Sequence, residues 1–282
     1  MDFQNSLLKL SKQVENLLVE RNLRGMRDVQ PALNEGYYLR AAQRLFSVKG
    51  TVLIGTGFPV AGTFETDGPV GAIALYHCLK KLNKTPVIVC GEPLYSALYK
   101  DFDCYPLPLN DIENAQCFAQ QLLSELKPEL VISIERPGLA ANNRYHNMRG
   151  ENISQYCGCF DAVIELADCP TIAIGDGGNE IGMGNITHAL AKLAITPAKT
   201  CCDELLIADV SNWGAYGLMA FLSIWQNRNL LEEIDLEAIF KYLSGLGSVD
   251  GVTRENSLTE DSLCFSEGLQ LLGRLQQLCG FK

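Results

Sequence analysis

The most constraining feature of this chain is a repeated alternation: a short apolar pulse, then a loop rich in glycine, proline or asparagine, then a helical stretch. The pulses lie at 51–55 (TVLIG), 86–90 (PVIVC), 130–134 (LVISI), 170–175 (PTIAIG) and 204–209 (ELLIAD). They are apolar at both alternating positions, so each strand is expected to be covered on both faces, as in a mostly parallel sheet between helical layers. The expectation is a three-layer, Rossmann-like α/β fold. Ahead of it, residues 3–22 place Leu7, Leu10, Val14, Leu17 and Leu18 on one helical face, and Pro31 opens a second helix over 31–46. The spacing thus predicts a helical lead-in, 1–46, packed on an α/β domain, 47–282. The amphipathic first helix could instead pack on a second copy, which leaves a homo-oligomer open.

A formal charge of −10 excludes the electrostatic footprint a polyanion needs, so neither nucleic acid nor an anionic membrane surface is expected as a partner. The longest apolar runs, such as 72–76 and 218–222, fall far short of the roughly 20 residues of a membrane span. The N-terminal segment lacks the apolar core and cleavage site of a signal peptide. Eleven cysteines include one C-x-C (Cys157, Cys159) and one adjacent pair (Cys201, Cys202) but no paired C-x-x-C, and the three histidines are scattered singly. That pattern disfavours a nitrogen and sulfur metal site and suits reduced thiols. A soluble cytoplasmic protein is expected.

In open α/β sheets ligands sit beyond the carboxyl ends of the strands, so the loops that follow the pulses are where chemistry is sought. The loop 55–72 holds five glycines with Thr56, Thr63, Glu65, Thr66 and Asp67, and no Lys or Arg occurs between Lys49 and Lys80. Its G-x-G at 55–57 lacks the third glycine of a dinucleotide fingerprint, and no G-K-[ST] follows, so a nucleotide phosphate is poorly supported. Thr56, Gly57 and Thr66 are candidate substrate contacts. Asp67 is a candidate catalytic carboxylate, although capping the helix that follows Gly68 and Pro69 is an equal alternative. The loop 175–185 packs five glycines with Asp176, Asn179 and Glu180. Glycine lets backbone N–H groups approach a ligand, with Gly177, Gly178 and Asn179 as the contacts, while Asp176 and Glu180 could bind an ammonium or move a proton. A hard divalent metal at Asp176 and Glu180 is a minor alternative, and no cofactor is otherwise expected.

The loop 135–152 has the opposite character, with Arg136, Arg144 and Arg149 beside Asn142, Asn143 and His146. Arg136 and Arg144, with Asn142, suit bidentate capture of a carboxylate, the plainer alternative being solubility. Asp209, Asn212, Asp250 and Thr253 add polar groups at later loops, with helix capping as their competing role. Two acidic, glycine-lined walls facing a cationic one fit a small zwitterion such as an acidic amino acid. The loops 55–69, 135–149 and 175–185 are expected to meet in one cleft.

These loops also resemble a known family. The stretches GTGFPVAGTFETDGPVGA, IERPGLAANNRYHNMRG, IAIGDGGNEIGMGN, DVSNWGAYGL and SVDGVT are similar to the C-terminal domain of D-glutamate cyclases, over about residues 40–255. The resemblance implies a lyase of D-amino acid metabolism that closes D-glutamate, or a similar acidic amino acid, to 5-oxo-D-proline with loss of water. Animal members carry a further large domain upstream, where this chain has the lead-in. A non-catalytic amino-acid or nucleotide binder, or a metal- or nucleotide-dependent transferase or hydrolase, are the competing readings. The cyclisation needs an ammonium to lose protons, a leaving oxygen to gain them and a folded-back substrate to be held, which suits Asp67, Asp176 and Glu180 as acid and base.

Overall fold

Strands whose residues are apolar on both sides can be satisfied only by cover on both sheet faces, and Leu130–Ile134 and Thr171–Gly175 are buried at every position. The computed structural model describes residues 3–281. Six strands, β1 (Thr51–Thr56), β2 (Thr85–Cys90), β3 (Cys104–Pro106), β4 (Leu130–Ile134), β5 (Thr171–Gly175) and β6 (Glu204–Ile207), form one sheet in the order β3-β2-β1-β4-β5-β6. All its pairings are parallel, in registers such as Leu53 with Val87 and Leu53 with Val131. This is the doubly wound order, with helices on the sheet making the three-layer α/β fold. The chain winds outward in one direction from β1 and in the other from β4, so the crevice lies beyond the carboxyl ends of these two neighbours.

Strand β3 has no apolar pulse in the sequence. It is three residues long, partly exposed and ends in Pro106, features an edge strand tolerates and a central one does not.

The helices of ten or more residues are α1 (Phe3–Leu18), α2 (Tyr37–Ser47), α3 (Pro69–Lys81), α4 (Ala115–Leu126), α5 (Ser211–Gln226), α6 (Leu236–Gly245) and α7 (Phe265–Leu278). Two boundaries differ from the periodicity. Helix α1 stops at Leu18, because Asp209 accepts the N–H groups of Arg21 (2.7 Å) and Leu23 (3.3 Å) and pulls the chain out of helical geometry. Pro31 opens only a 3-10 turn, Gln30–Ala32, and α2 begins after Gly36 at φ 88°. The apolar face of α1 is covered by α2, α5 and α7 of the same chain. No helix among the described residues is long and apolar enough to cross a membrane.

Helix α5 organises the interior. From Ser211 to Ser223 every residue is buried, which requires apolar or small side chains all round rather than along one stripe. The sheet and α1, α2, α3 and α7 surround it. Its glycines permit the close approaches: a Cβ at Gly217 would lie 2.7 Å from the Tyr38 ring. On the facing helix α3, a Cβ at Gly71 would sit 2.8 Å from the Asn212 Cα. Backbone cannot swing away as a side-chain tip can. Gly71→Ala should therefore destabilise the protein by about 1–3 kcal/mol in denaturant unfolding. Gly273→Ala, on a part of α7 with nothing within 4 Å, should stabilise by up to about 1 kcal/mol through helix propensity. Equal effects of the two would contradict this packing of α3 on α5.

Candidate active site

The loops after β1, β4 and β5 all border one cavity of about 680 Å³ at the carboxyl edge of the sheet. The first contributes Phe58–Thr63 and Glu65, the second Glu135 and Asn147–Arg149, and the third Gly177, Asn179 and Glu180. The C-terminal loop adds Gly251, Arg254 and Asp261, and the connection between α1 and α2 adds Arg24.

The floor is acidic. Glu65, Asp67, Glu135, Asp176, Glu180, Glu260 and Asp261 are all buried, and Asp67 and Asp176 are each 1% exposed. Among the described residues, Arg24 is the one basic side chain ion-paired with any of them: it bridges Asp176 and Asp261, with Nη1 donating to Asp261 at 3.0 Å. Burial opposes charge on Arg24, but Asp176, Asp261 and Glu135 outweigh it and hold the guanidinium firmly protonated.

Each acid is placed by local structure. Asp67 precedes Gly68, and its Oδ1 accepts the N–H of Gly68 (2.8 Å) and of Asn212 (2.7 Å), while Oδ2 accepts that of Ser211 (2.9 Å). The last two belong to the first turn of α5, whose partial positive charge favours a carboxylate there. Asp176 Oδ2 accepts the same Ser211 N–H at 3.2 Å, and its Oδ1 has no hydrogen-bond partner among the described residues. Glu135 leaves β4 in the left-handed region at φ 44°, a conformation costing a non-glycine residue about 1–3 kcal/mol, and accepts the Ser211 hydroxyl at 2.6 Å. Glu180 is cradled by the N–H groups of Gly177 (3.0 Å) and Gly178 (2.7 Å). The Glu65 carboxyl takes no hydrogen bond from the described residues, and only a glycine at 251 leaves room for it. Oxygens of Asp67, Glu135 and Asp176 lie within 4.8 Å of one another, a spacing that could hold a metal ion.

Burial raises these acids in common. The Asp67 carboxyl is pushed up to about 6 by desolvation and Asp261, against the pull of Asp176, Arg24 and the Asn212 N–H. Desolvation and neighbouring acids hold Glu65, Glu135 and Asp176 well above the carboxylate range. Glu180 is raised by burial and restrained by Arg24 and its glycine N–H donors. Glu260, desolvated beside Asp67 while accepting from Asn212 and Trp213, is pushed up to about 8.

The remaining residues named from the sequence occupy different places. Arg136 is buried, donating to the carbonyls of Thr56 (2.7 Å) and Gly158 (2.9 Å) over the Phe160 ring. With Thr56 and Gly57 it borders a smaller recess, not the main cavity. Asn142 is exposed and paired with His146, and Arg144 is exposed outside the cavity. The Gly177 and Gly178 N–H groups are occupied by Glu180. The Thr66 hydroxyl donates to the Thr259 carbonyl at 2.6 Å. Asn212 Oδ1 accepts from Gly68 and Gly71 and its Nδ2 donates to Glu260, so it buttresses Asp67 from behind. Asp209 shapes the lead-in. Asp250 accepts the N–H groups of Val252, Thr253 and Ser262, and the Thr253 hydroxyl that of Glu255, which folds the C-terminal loop. At the cavity mouth stand the exposed cations Arg149 and Arg254 and the exposed acids Glu92 and Glu151, with Arg254 paired to Glu151 at 3.5 Å.

The family model described as D-glutamate cyclase-like, C-terminal, matches residues 14–276. The chain belongs to that family. Human "D-glutamate cyclase, mitochondrial" is 30% identical over 227 residues, covering 71% of this chain and 37% of the human protein. The chain thus spans little more than a third of that relative's length. The family match starts inside the lead-in and so takes in Arg24, which sequence reasoning missed, together with Asp261. Neither carries a local signal: Arg24 sits in an irregular connection and Asp261 in a two-stranded turn, and each acquires its place only through chain reversal. Glu65, Glu135 and Arg149 were visible in the loops but indistinguishable there from surface charge.

The raised Glu260 has a consequence for stability. The folded chain keeps this proton up to about pH 8, while the unfolded chain releases it near 4.5, so folding takes up a proton between those values. Glu260 then favours the fold most at acid pH, and its contribution is lost as pH rises through 8. In chelator-treated buffer the melting temperature should fall between about pH 5 and 9, and Glu260→Gln should flatten that fall. Parallel profiles for parent and variant would refute the assignment.

Proposed function

We propose that this chain is a lyase-type enzyme that closes D-glutamate, or a similar acidic amino acid, to 5-oxo-D-proline with release of water. The observation that carries the reading is the polarity of the cleft. Buried carboxyl groups line its floor, and its mouth carries Arg149 and Arg254 beside Glu92 and Glu151, with Arg254 3.5 Å from Glu151. A substrate bearing one ammonium and two carboxylates fits this with the ammonium inward. Membership of the D-glutamate cyclase-like family supports the same chemistry.

The reaction neither consumes nor releases net protons. The ammonium gives up two, the carboxylate oxygen that leaves takes both, a C–N bond forms and a C–O bond breaks. The site must therefore move protons over a short path while holding the chain folded back, the arrangement in which proximity contributes most. Glu180, fixed by two glycine N–H groups, holds the ammonium. Glu65, whose carboxyl faces the cavity with no protein donor, carries protons from nitrogen to the leaving oxygen. Arg149 and Arg254 hold the α-carboxylate at the mouth. Arg136 keeps the loop after β1 in place through the Thr56 carbonyl. No nucleotide or other organic cofactor is required. All eleven cysteines are free, which suits a reducing compartment such as the cytoplasm.

Incubation of the purified chain with D-glutamate should give 5-oxo-D-proline on chiral chromatography. Glu65→Gln should cut kcat by at least about a hundredfold. Arg149→Ala with Arg254→Ala should raise KM several-fold while sparing kcat. Stabilisation by D-glutamate without product would instead favour a binding protein that retains the pocket.

A further inference from the structure

We infer that the cleft floor binds one divalent, oxygen-preferring cation through Asp67, Glu135 and Asp176. Their oxygens fall within 4.8 Å of one another, as monodentate ligands at about 2.0–2.6 Å from a shared ion require. An acidic cluster alone would not suffice. The decisive feature is the orphaned Asp176 Oδ1: the residue is 1% exposed, its Oδ2 is engaged by Arg24 and the Ser211 N–H, and Oδ1 has no partner. A buried carboxyl oxygen left unpaired is a costly polar defect, and a cation that displaces the proton satisfies it. The Thr56 hydroxyl, fully buried and also unpartnered, lies beside the same floor: Thr56 Oγ1 and Glu135 Cβ both come within 3 Å of one point at Gly68. It can donate to a carboxylate or a water on the ion.

The ligands are also pre-oriented from behind. Ser211 contributes its N–H to Asp67 and Asp176 and its hydroxyl to Glu135, so one residue at the start of α5 touches all three. The donor set is wholly oxygen, which selects magnesium, manganese or calcium over the thiol-seeking metals. A divalent ion supplies the positive charge with which Asp67, Glu135 and Asp176 can ionise together, which Arg24 alone does not give them. Glu135 borders the cavity, whereas Asp67 and Asp176 lie beneath it, so an ion held by the three would sit at the cavity floor. Its role rests on the proposed reaction: a carboxylate is a poor electrophile, and binding an oxygen of the carboxyl under attack neutralises it. The binding itself does not rest on that reading.

Titration of the 282-residue chain with Mn²⁺ alone, followed by electron paramagnetic resonance, tests the site without substrate. The expected result is loss of the free Mn²⁺ signal at one ion per chain, reversed by excess Mg²⁺ or Ca²⁺. Asp176→Asn and Glu135→Gln, checked for folding by circular dichroism, should each weaken binding at least tenfold, and Glu233→Gln, on the remote α3 side, should leave it unchanged. Undiminished free Mn²⁺ at stoichiometric protein, or equal binding by either folded floor variant, would overturn the proposal. Mn²⁺ bound as expected with no 5-oxoproline formed would overturn the cyclase reading and leave the ion in place. Closure of D-glutamate with no Mn²⁺ bound would do the reverse.

Discussion

One half-buried guanidinium, that of Arg24, is the constraint around which this site is built. Seven buried carboxyl groups gather in and beneath one cleft, and a carboxylate stripped of water without a counter-charge is among the most expensive states a protein can hold. Arg24 reaches them from the connection between α1 and α2, a segment that belongs to no sheet and has no other reason to approach the carboxyl edge. Several contacts fix it there. Asp209 holds the backbone at Arg21 and Leu23, the Arg21 guanidinium lies 5.5 Å from the Trp213 ring centre and pairs with Glu267, and Tyr38 of α2 donates to the Ile207 carbonyl. The lead-in is thereby a structural part of the site, not an appendage to it.

The second support is the start of α5. Ser211 and Asn212 present free N–H groups at the positive end of a 16-residue helix, and these meet Asp67 and Asp176. Asp67, fully enclosed, is raised by burial and by Asp261, and it stops at about 6 because the Asp176 hydrogen bond, Arg24 and, in smaller part, the Asn212 N–H at this helix end oppose them. A helix that is apolar on every side can be placed in the middle of the molecule, so its N-terminus is carried to the sheet edge without exposing a polar flank. Fold and electrostatics are coupled through that one element.

Much of this architecture is legible in the sequence because it depends on local pattern. Five apolar pulses mark five of the six strands of the sheet, since parallel strands covered on both faces advertise themselves. The edge strand at Cys104–Pro106 does not, because half-exposed residues need no apolar run. The three loops that border the cleft are also visible, through glycine density and charge segregation. What cannot be read is which charges face inward. Arg136 and Arg149 are thirteen residues apart in one loop, yet the first is buried against two carbonyls and the second stands at the cavity mouth. Glu65 and Asp67 alternate along the chain, and only the position of Gly251 and the start of α5 decides that one borders the cavity and the other lies beneath it. Strand order and long-range reversal set those outcomes, and neither has a local signature.

The step from a dry acidic floor to a wet rim, where Arg149 and Arg254 stand among Glu92 and Glu151, has a further physical meaning under the proposed reaction. Charges at the rim are screened by water, whereas those at the floor interact through a medium of lower polarity and are felt more strongly. An acidic amino acid entering such a field is turned before it is gripped, with its ammonium drawn inward and a carboxylate held back at the arginines. That orientation alone does not close a ring, because an extended substrate would place its second carboxylate away from the amine. The enclosing loops must force the fold-back, and the second carboxylate then arrives among like charges. It can be accepted there only if something offsets its charge, either a proton or a cation. The excess of buried acids over Arg24 therefore has a consistent interpretation: a floor that cannot ionise by itself holds protons or draws in a cation, and either makes the incoming carboxylate reactive.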